Sequence, residues 1–141
     1  MRFFIDSSII IEGLKNNDRA VSLLQQIKEL DKKELAINEV VWSEVVYQLV
    51  IKRKLDPYST FGFLRNFDFL FVNREVLSYA ERFVDKHNLK PNDALILATC
   101  KHYKVSYLLS LDEDFKEPCE KEGITLIDSA EKLKRALSKS G

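Results

Sequence analysis

Short apolar runs alternate along the chain with longer segments whose apolar residues recur at helical spacing. Five brief runs predict strands: "RFFI", "ELAIN", "FDFLFV", "VSYLLS" and "GITLI". The segments between and after them predict helices: "SSIIIEGLK", "DRAVSLLQQIKEL", "EVVWSEVVYQLVIKRKL", "PYSTFGFLRNF", "EVLSYAERFVDKHN", "KPNDALILATCKHY" and "DSAEKLKRALSKS". We expect Ser7 or Ser8 to cap the first helix, Asp18 the second and Asp128 the last.

The order of these elements, strand then helix along the whole chain, predicts an α/β fold. We expect a three-layer α/β/α sandwich around a central parallel sheet of about five strands, because helical crossovers cover both faces of such a sheet. The length of 141 residues fits one domain, residues 1–141. Sites in parallel sheets form beyond the carboxyl ends of the strands, near the point where the strand order reverses.

The overall charge gives no general attraction to nucleic acid. Acidic and basic residues balance at 22 each, so any nucleic-acid binding must come from a local patch. Cys100 and Cys119 are too few for a disulfide framework, which favours a reduced, cytoplasmic setting. Asp6 interrupts the apolar start of the chain, and no other uncharged stretch is long enough for a bilayer. We therefore expect no signal peptide and no membrane partner.

Two aspartates come directly after predicted strands. Asp6 follows "RFFI" and Asp112 follows "VSYLLS". A helix cap explains Asp6 equally well, and a solvated loop acid explains Asp112 if either residue is taken alone. Because parallel strands end at one edge of the sheet, the two carboxylates are predicted to lie near each other.

Asp93 lies in the first turn of the helix "PNDALILATC", where the helix dipole favours an acid for structural reasons alone. It also shares a helical face with Ile96, Leu97 and Cys100, at i+3, i+4 and i+7. We expect this face to point into the protein, which places the Asp93 carboxylate inside as well.

Glu44 is the only acid between Val40 and Leu55, and apolar residues flank it in "VVWSEVVYQLV". A solvent-exposed polar stripe on an amphipathic helix is the competing explanation. Glu39 is the alternative glutamate for a site, although its place in the first turn suits the helix dipole. We take Glu44 as the functional residue.

A cluster of these four carboxylates needs neutralisation. Two acids end strands, and two others occur on helices that are able to cover those ends. Each pair 4 Å apart costs about 4 kcal/mol at an effective dielectric near 20. Oxygen ligands suit Mg²⁺ or Mn²⁺ rather than Zn²⁺. The only histidines, His87 and His102, lie near predicted helix ends and offer no alternative ligand set.

Together these segments resemble the PIN domain family of metal-dependent ribonucleases, and particularly the small VapC-type toxins of toxin–antitoxin pairs. The resemblance spans essentially the whole chain. "FIDSSIII" is similar to the opening Asp-x-Asn/Ser motif, "WSEVVYQL" to the segment with the helix glutamate, "LKPNDALILATC" to the Asp-Ala-x-Ile-x-Ala helix, and "LLSLDEDF" to the Thr-x-Asp-x-Asp-Phe ending. Ser110 stands where a threonine is usual and retains the hydroxyl.

The resemblance implies Mg²⁺- or Mn²⁺-dependent cleavage of RNA to products with 5′-phosphate and 3′-hydroxyl ends. It assigns the metal to Asp6, Glu44, Asp93 and Asp112, with Asp114 as an auxiliary ligand and Glu113 facing solvent. Ser8 and Ser110 would orient carboxylates or water. A homodimer and a cognate antitoxin are implied as partners. RNA-binding residues are not identified, and candidate basic residues at the rim are Lys15, Arg53, Lys90 and Lys101.

Three other interpretations remain open on the sequence. An RNA-processing nuclease outside a toxin system would carry the same acids. A catalytically silent interaction module on the same fold would have no need of all four acids, Asp6, Glu44, Asp93 and Asp112. A haloacid dehalogenase-like phosphohydrolase would use Asp6 as its nucleophile, but that family expects an aspartate where Ser8 stands.

Overall fold

The strands form one parallel sheet in the order β3-β2-β1-β4-β5. A computed structural model of the chain describes residues 1–140. The strands are β1 Arg2–Ile5, β2 Glu34–Ile37, β3 Asp68–Phe69, β4 Tyr107–Leu109 and β5 Thr125–Ile127. Every neighbouring pair is parallel. Five strands were predicted, and all five are present.

Helices connect the strands and complete a three-layer α/β/α sandwich, as predicted. Their bounds are α1 Ser7–Leu14, α2 Asp18–Lys28, α3 Glu39–Val46, α4 Pro57–Leu64, α5 Arg74–His87, α6 Pro91–His102, α7 Lys116–Glu122 and α8 Ala130–Ser140. A π-helical segment, Tyr47–Lys52, continues α3, and a short 3₁₀ helix, Glu113–Phe115, precedes α7. None of the helices within residues 1–140 has the length and apolar character needed to cross a membrane.

The strand order reverses at β1. From β1 the chain builds β2 and β3 on one side, and it then returns to place β4 and β5 on the other. Crossovers leave in opposite directions from such a switch point, which opens a crevice at the carboxyl ends of the two central strands. Asp6 follows β1, and Asp112 lies three residues beyond the end of β4. Both residues therefore lie at this crevice.

Apolar side chains of the sheet and of α6 make up the centre of the core. Phe3, Phe4 and Ile5 of β1 are fully buried, because helices cover both faces of the central strand. Ile96 and Leu97 of α6 are equally buried. The apolar part of the helical face predicted to point inward does so, whereas Asp93 at its start is only half-buried. Cys100 on that face and Cys119 are buried free thiols.

The predicted helix caps are wrong at three helices. Asp6 holds the N-cap position of α1 without a side-chain cap bond, and Ser7 and Ser8 lie within the helix. Asn17, rather than Asp18, caps α2 by accepting from the Ala20 N–H at 3.2 Å. At α8, Ser129 accepts from the Lys132 N–H in place of Asp128.

The third strand and the third helix are shorter than the apolar patterns predict. Only Asp68–Phe69 of "FDFLFV" pairs as a strand, since β2 ends at Ile37 and the chain then turns into α3. The Val72 N–H is bound instead by the Glu39 carboxylate, with both oxygens at 3.0 Å. The α-helical part of "EVVWSEVVYQLVIKRKL" stops at Val46, where the π-helical segment begins.

Candidate active site

The carboxylate of Asp6 is fixed at the switch point by two serine hydroxyls. Ser8 Oγ and Ser110 Oγ each donate to the same oxygen, Asp6 Oδ2, at 2.7 Å. Asp6 is only 5% exposed, and Ser110 is fully buried. Burial raises the pKa of Asp6, while the two hydroxyl donors act in the opposite direction. The carboxylate is thus held in one orientation inside the protein.

The same two serines connect the end of β1 to the end of β4. Ser8 Oγ accepts from the Leu111 N–H at 3.0 Å, and Ser110 Oγ accepts from the Asp112 N–H at 3.0 Å. The Asp6 N–H bonds the Leu109 carbonyl at 2.9 Å. These bonds fix the position of the loop that carries Asp112 relative to Asp6.

Three further acids meet beside this network. Asp93 in the first turn of α6, Asp112 after β4 and Asp114 each offer a carboxylate oxygen, and these oxygens lie within 4.8 Å of one another. The Asp112 carboxylate also accepts from the Asp114 N–H at 2.9 Å, which holds the loop in a tight turn. Glu113, between them, is exposed and contributes no oxygen to this group.

Glu44 approaches the site from α3. Its Oε1 accepts a hydrogen bond from Ser7 Oγ at 3.1 Å, which ties α3 to the first turn of α1. Burial raises the pKa of Glu44, and repulsion from Asp6 and Asp112 raises it further. Glu39, the alternative glutamate, is bonded to the Val72 backbone. Of the two glutamates, Glu44 is the one whose charge is coupled to the aspartates.

The charges of the other four acids act on Asp93, although only Asp93, Asp112 and Asp114 bring their oxygens within 4.8 Å of one another. Burial raises the pKa of Asp93 to about 6, and repulsion from Asp112, Asp6, Asp114 and Glu44 contributes to the shift. A carboxylate of this kind is short of compensating positive charge at neutral pH. Strong pKa shifts of this origin are common where a site binds a cation or carries out catalysis.

The donor set fits a hard divalent cation. All ligand atoms of the cluster are carboxylate oxygens, the type that Mg²⁺ and Mn²⁺ prefer. Neighbouring ligands of an octahedral Mg²⁺ are about 3 Å apart and opposite ones about 4.2 Å, so the oxygens of Asp93, Asp112 and Asp114, which lie within 4.8 Å, would draw closer to share one ion. Within residues 1–140, no histidine or cysteine belongs to this group.

Two positioning residues were missed by the sequence analysis. Ser7 holds Glu44, and Asn38 links β2, α3 and α6. The buried Asn38 side chain accepts from the Val40 and Val41 N–H groups and donates to Thr99 Oγ1 at 2.9 Å. Asn38 follows β2 just as Asp6 follows β1, and this equivalent position was the signal that could have identified it.

The candidate rim cations differ in their surroundings. Lys15 lies at the open side of the site, with its Nζ 3.8 Å from Glu12. Lys90 is exposed, three residues before Asp93. Arg53 is exposed at the end of the π-helical segment. Lys101 donates to the Glu122 carbonyl at 3.0 Å and is therefore engaged elsewhere. The Glu122 side chain is only 7% exposed; burial raises its pKa, but hydrogen bonds from Lys86 and His87 outweigh this effect and lower the pKa to about 2.

Comparisons with known proteins show what this chain is similar to in sequence and in fold. The sequence model of the PIN domain family matches residues 3–121. Ribonuclease VapC2 of Methanocaldococcus jannaschii is 32% identical over 133 residues, covering 82% of this chain and 87% of its own. Ribonuclease VapC6 of the same organism is 28% identical, and the match covers 81% of this chain and 90% of VapC6. A chain of a toxin–antitoxin complex from Klebsiella pneumoniae has the same fold, with a TM-score of 0.67 at 21% identity. The match covers 79% of this chain and 88% of that chain.

Proposed function

The chain belongs to the PIN domain family, and on that premise we propose that it is a Mg²⁺- or Mn²⁺-dependent endoribonuclease, the toxin of a VapBC-type toxin–antitoxin pair. The observation that carries the proposal is the carboxylate cluster at the switch point of the sheet, with Asp93, Asp112 and Asp114 oxygens within 4.8 Å. Both curated relatives are named as VapC ribonucleases.

In this proposal Asp6, Glu44, Asp93 and Asp112 hold the metal, and Asp114 is an auxiliary ligand. When bound, Mg²⁺ or Mn²⁺ supplies Lewis acidity at the phosphoryl group and lowers the pKa of water to near neutrality. The role of Ser8 and Ser110 is to keep Asp6 in the orientation that the site needs, since both donate to its Oδ2. Ser7 has the same role toward Glu44.

End-group analysis of cleaved RNA tests the reaction class. The protein is incubated with labelled RNA and Mg²⁺, and the product ends are identified by phosphatase sensitivity and ligation. Hydrolysis by an activated water yields 5′-phosphate and 3′-hydroxyl ends. Attack by the 2′-hydroxyl of the RNA itself would instead give 2′,3′-cyclic phosphates, and that result, or an absence of cleavage, overturns the proposal.

An antitoxin partner is the second part of the proposal, supported by the toxin–antitoxin complex among the structural neighbours. Two apolar clefts of about 350 and 380 Å³ adjoin one another and share Leu14 and Phe63 in their walls. Both residues are about half exposed, at 50% and 45%. Exposed apolar clefts of this kind suit the apolar face of a bound peptide.

Co-expression with the product of a neighbouring small gene tests this second part. We expect the two proteins to co-purify and the complex to have little ribonuclease activity. Leu14→Glu should release the partner without lowering cleavage by the isolated protein, since Leu14 is exposed. Cleavage with no such inhibitory partner would indicate an RNA-processing nuclease instead of a toxin.

The remaining parts of the proposal concern assembly and location. We propose a homodimer, by analogy with VapC-type toxins, and light scattering of the purified protein tests it directly. A mass of one chain at all concentrations would contradict a dimer. We also propose a cytoplasmic location, where RNA is available and the free thiols of Cys100 and Cys119 stay reduced.

A further inference from the structure

A cleft of about 440 Å³ opens beside the carboxylate cluster, between α1 and the helix formed by α3 and the π-helical segment. This volume lies within the ~300–1,000 Å³ range of small-ligand sites. Two helical faces line it: Ser8, Ile11 and Lys15 on one side, and Glu44, Tyr47 and Gln48 on the other. Ser8 and Glu44 belong to the carboxylate site, so the cleft and the site are continuous.

The spacing along both helices explains why these side chains share the cleft. Tyr47 and Gln48 follow Glu44 by three and four residues, and therefore lie on the same helical face as its carboxylate. Ile11 and Lys15 follow Ser8 by three and seven residues, a spacing that also places them on its helical face. Each helix thus carries one residue of the acidic site and, next to it, the side chains of the cleft.

Tyr47 offers an exposed ring, and Gln48 offers a free side-chain amide. Tyr47 is 50% exposed, which leaves much of its ring open to a ligand. Lys52 Nζ lies over one face of the ring, 5.6 Å from its centroid, so a base stacks on the part of the ring that Lys52 leaves uncovered. Within residues 1–140 the Gln48 side-chain amide has no hydrogen-bond partner. Tyr47 is also the first residue of the π-helical segment, a distortion that is rare and frequently found at functional sites.

A second cleft near the carboxylates has four acids in its wall, Glu113, Asp114, Glu117 and Glu120, whereas the Tyr47 cleft has two, Glu12 and Glu44. The second cleft has a volume of about 600 Å³. Two of its lysines are already neutralised, Lys121 by Glu117 at 2.8 Å and Lys86 by Glu122 at 2.9 Å. Lys15 has a looser contact of 3.8 Å with Glu12. Lys116, in the wall of the second cleft, has no ion pair among residues 1–140, so the choice of the Tyr47 cleft rests on its exposed ring and free amide rather than on charge.

We propose that the cleft between α1 and α3 binds the nucleotide next to the cleaved phosphate of a single-stranded RNA. The base stacks on Tyr47, the Gln48 amide hydrogen-bonds the base edge, and Lys15 neutralises an adjoining phosphate. The placement next to the cleaved phosphate rests on the ribonuclease function proposed above. Stacking is tolerant of base identity, whereas an amide that both donates and accepts distinguishes base edges.

Fluorescence anisotropy with short labelled RNAs, oligo(A), oligo(C) and oligo(U), tests the cleft. Ca²⁺ replaces Mg²⁺ in the binding buffer, and a gel checks that the RNA stays intact. Tyr47→Ala should weaken binding by about 5- to 100-fold through lost stacking, and Tyr47→Phe should stay within about twofold of the unmodified protein. Gln48→Ala should reduce the differences in Kd among the three RNAs. Tyr58→Ala is the matched control, because Tyr58 is 82% exposed and lies outside the cleft.

Loss of binding in Tyr47→Ala alone, with Tyr47→Phe and Tyr58→Ala unchanged, supports the proposal. Unchanged binding by Tyr47→Ala, an equal loss in Tyr58→Ala, or no RNA binding by the unmodified protein overturns it. A parallel cleavage assay in Mg²⁺ separates this inference from the proposed function. RNA binding that depends on Tyr47, without any cleavage, contradicts the proposed ribonuclease function but supports RNA binding in the cleft. RNA cleavage that is unchanged in Tyr47→Ala supports the ribonuclease function and contradicts RNA binding in the cleft.

Discussion

Ser110 Oγ donates a hydrogen bond of 2.7 Å to Asp6 Oδ2, although 104 positions separate the two residues in the chain. The bond crosses the switch point of the sheet, from the end of β4 to the end of β1. Ser110 is fully buried and also accepts from the Asp112 N–H. One hydroxyl therefore sets the orientation of Asp6 and the path of the loop that carries Asp112.

Loss of the Ser110 hydroxyl should lower RNA cleavage more than it lowers the stability of the folded protein. Ser110→Ala removes the donor to Asp6 and the acceptor for the Asp112 N–H, and we expect RNA cleavage to fall by about 10- to 100-fold, as for other residues that orient metal ligands. Ser110→Thr keeps the hydroxyl and should retain most activity. Steady-state cleavage of a labelled RNA measures both variants. Equal losses in the two would show that packing, rather than the hydroxyl, is what the site requires.

The three acids of the loop after β4 should differ sharply in importance. Asp112→Ala removes an oxygen of the cluster and an acceptor for the Asp114 N–H, so we expect the greatest loss of cleavage, more than about 100-fold. Asp114→Ala should give a smaller loss, because Asp114 is exposed and auxiliary. Glu113→Ala should leave cleavage rates unchanged and serves as the control. A defect in Glu113→Ala as large as that of Asp112→Ala would refute this ranking.

The two glutamates of α3 should differ in role, because substitution of Glu44 should mainly affect RNA cleavage and substitution of Glu39 should mainly affect stability. Glu44→Gln should reduce cleavage strongly while leaving the melting temperature the same or higher, because a repelled charge is removed. Glu39→Ala leaves the Val72 N–H without its acceptor, and we expect the free energy of unfolding to fall by about 1–3 kcal/mol with cleavage largely kept. Thermal melts and cleavage rates of both variants provide the check. The opposite pattern would place Glu39 in the site.

Asp93 should make the stability of the metal-free protein depend on pH. Its pKa is raised to about 6 in the folded protein, above its value in the unfolded chain. Between about pH 4 and 6 the folded state binds more protons than the unfolded state, so the free energy of unfolding falls as the pH rises through this window. In EDTA, Asp93→Asn should therefore be more stable than the unmodified protein at pH 7.5, and the difference should vanish near pH 4.

The size of this effect is limited by solvent screening at a half-buried carboxylate. We expect about 1 kcal/mol, or ~4 °C in melting temperature, at pH 7.5. Mg²⁺ should stabilise the unmodified protein more at pH 7.5 than at pH 4.5, since carboxylates must ionise to bind it. Differential scanning fluorimetry at the two pH values measures both differences. The same Mg²⁺ shift in Asp93→Asn and in the unmodified protein would argue against Asp93 as a ligand.

The strand-end aspartates could be predicted because their positions follow from the chain itself. Apolar runs mark where β1 and β4 end, and parallel strands bring those ends to one edge of the sheet. Asp6 and Asp112 are therefore located by pattern alone. Asp93 was predicted for a similar reason, since its helical face is apolar at Ile96 and Leu97.

The contacts that orient these acids could not be predicted, because they depend on how close two elements approach in three dimensions. Ser7 reaches Glu44 only because α1 and α3 pack together, and Asn38 reaches Thr99 only because β2 ends beside α6. In the sequence Ser7 had the pattern of a helix cap. The π-helical turn after Val46 likewise gave no signal in a run of valines and leucines.

RNA cleavage measured after EDTA treatment, and again after Mg²⁺ is restored, tests the proposed metal site most directly. The assay includes Asp93→Asn and, as a matched control, Asp85→Asn at an exposed aspartate of α5. We predict that EDTA abolishes cleavage, that Mg²⁺ restores it in the unmodified protein and in Asp85→Asn, and that Asp93→Asn stays inactive throughout. Cleavage that persists in EDTA, or that is undiminished in Asp93→Asn, would contradict a metal-dependent ribonuclease at this site.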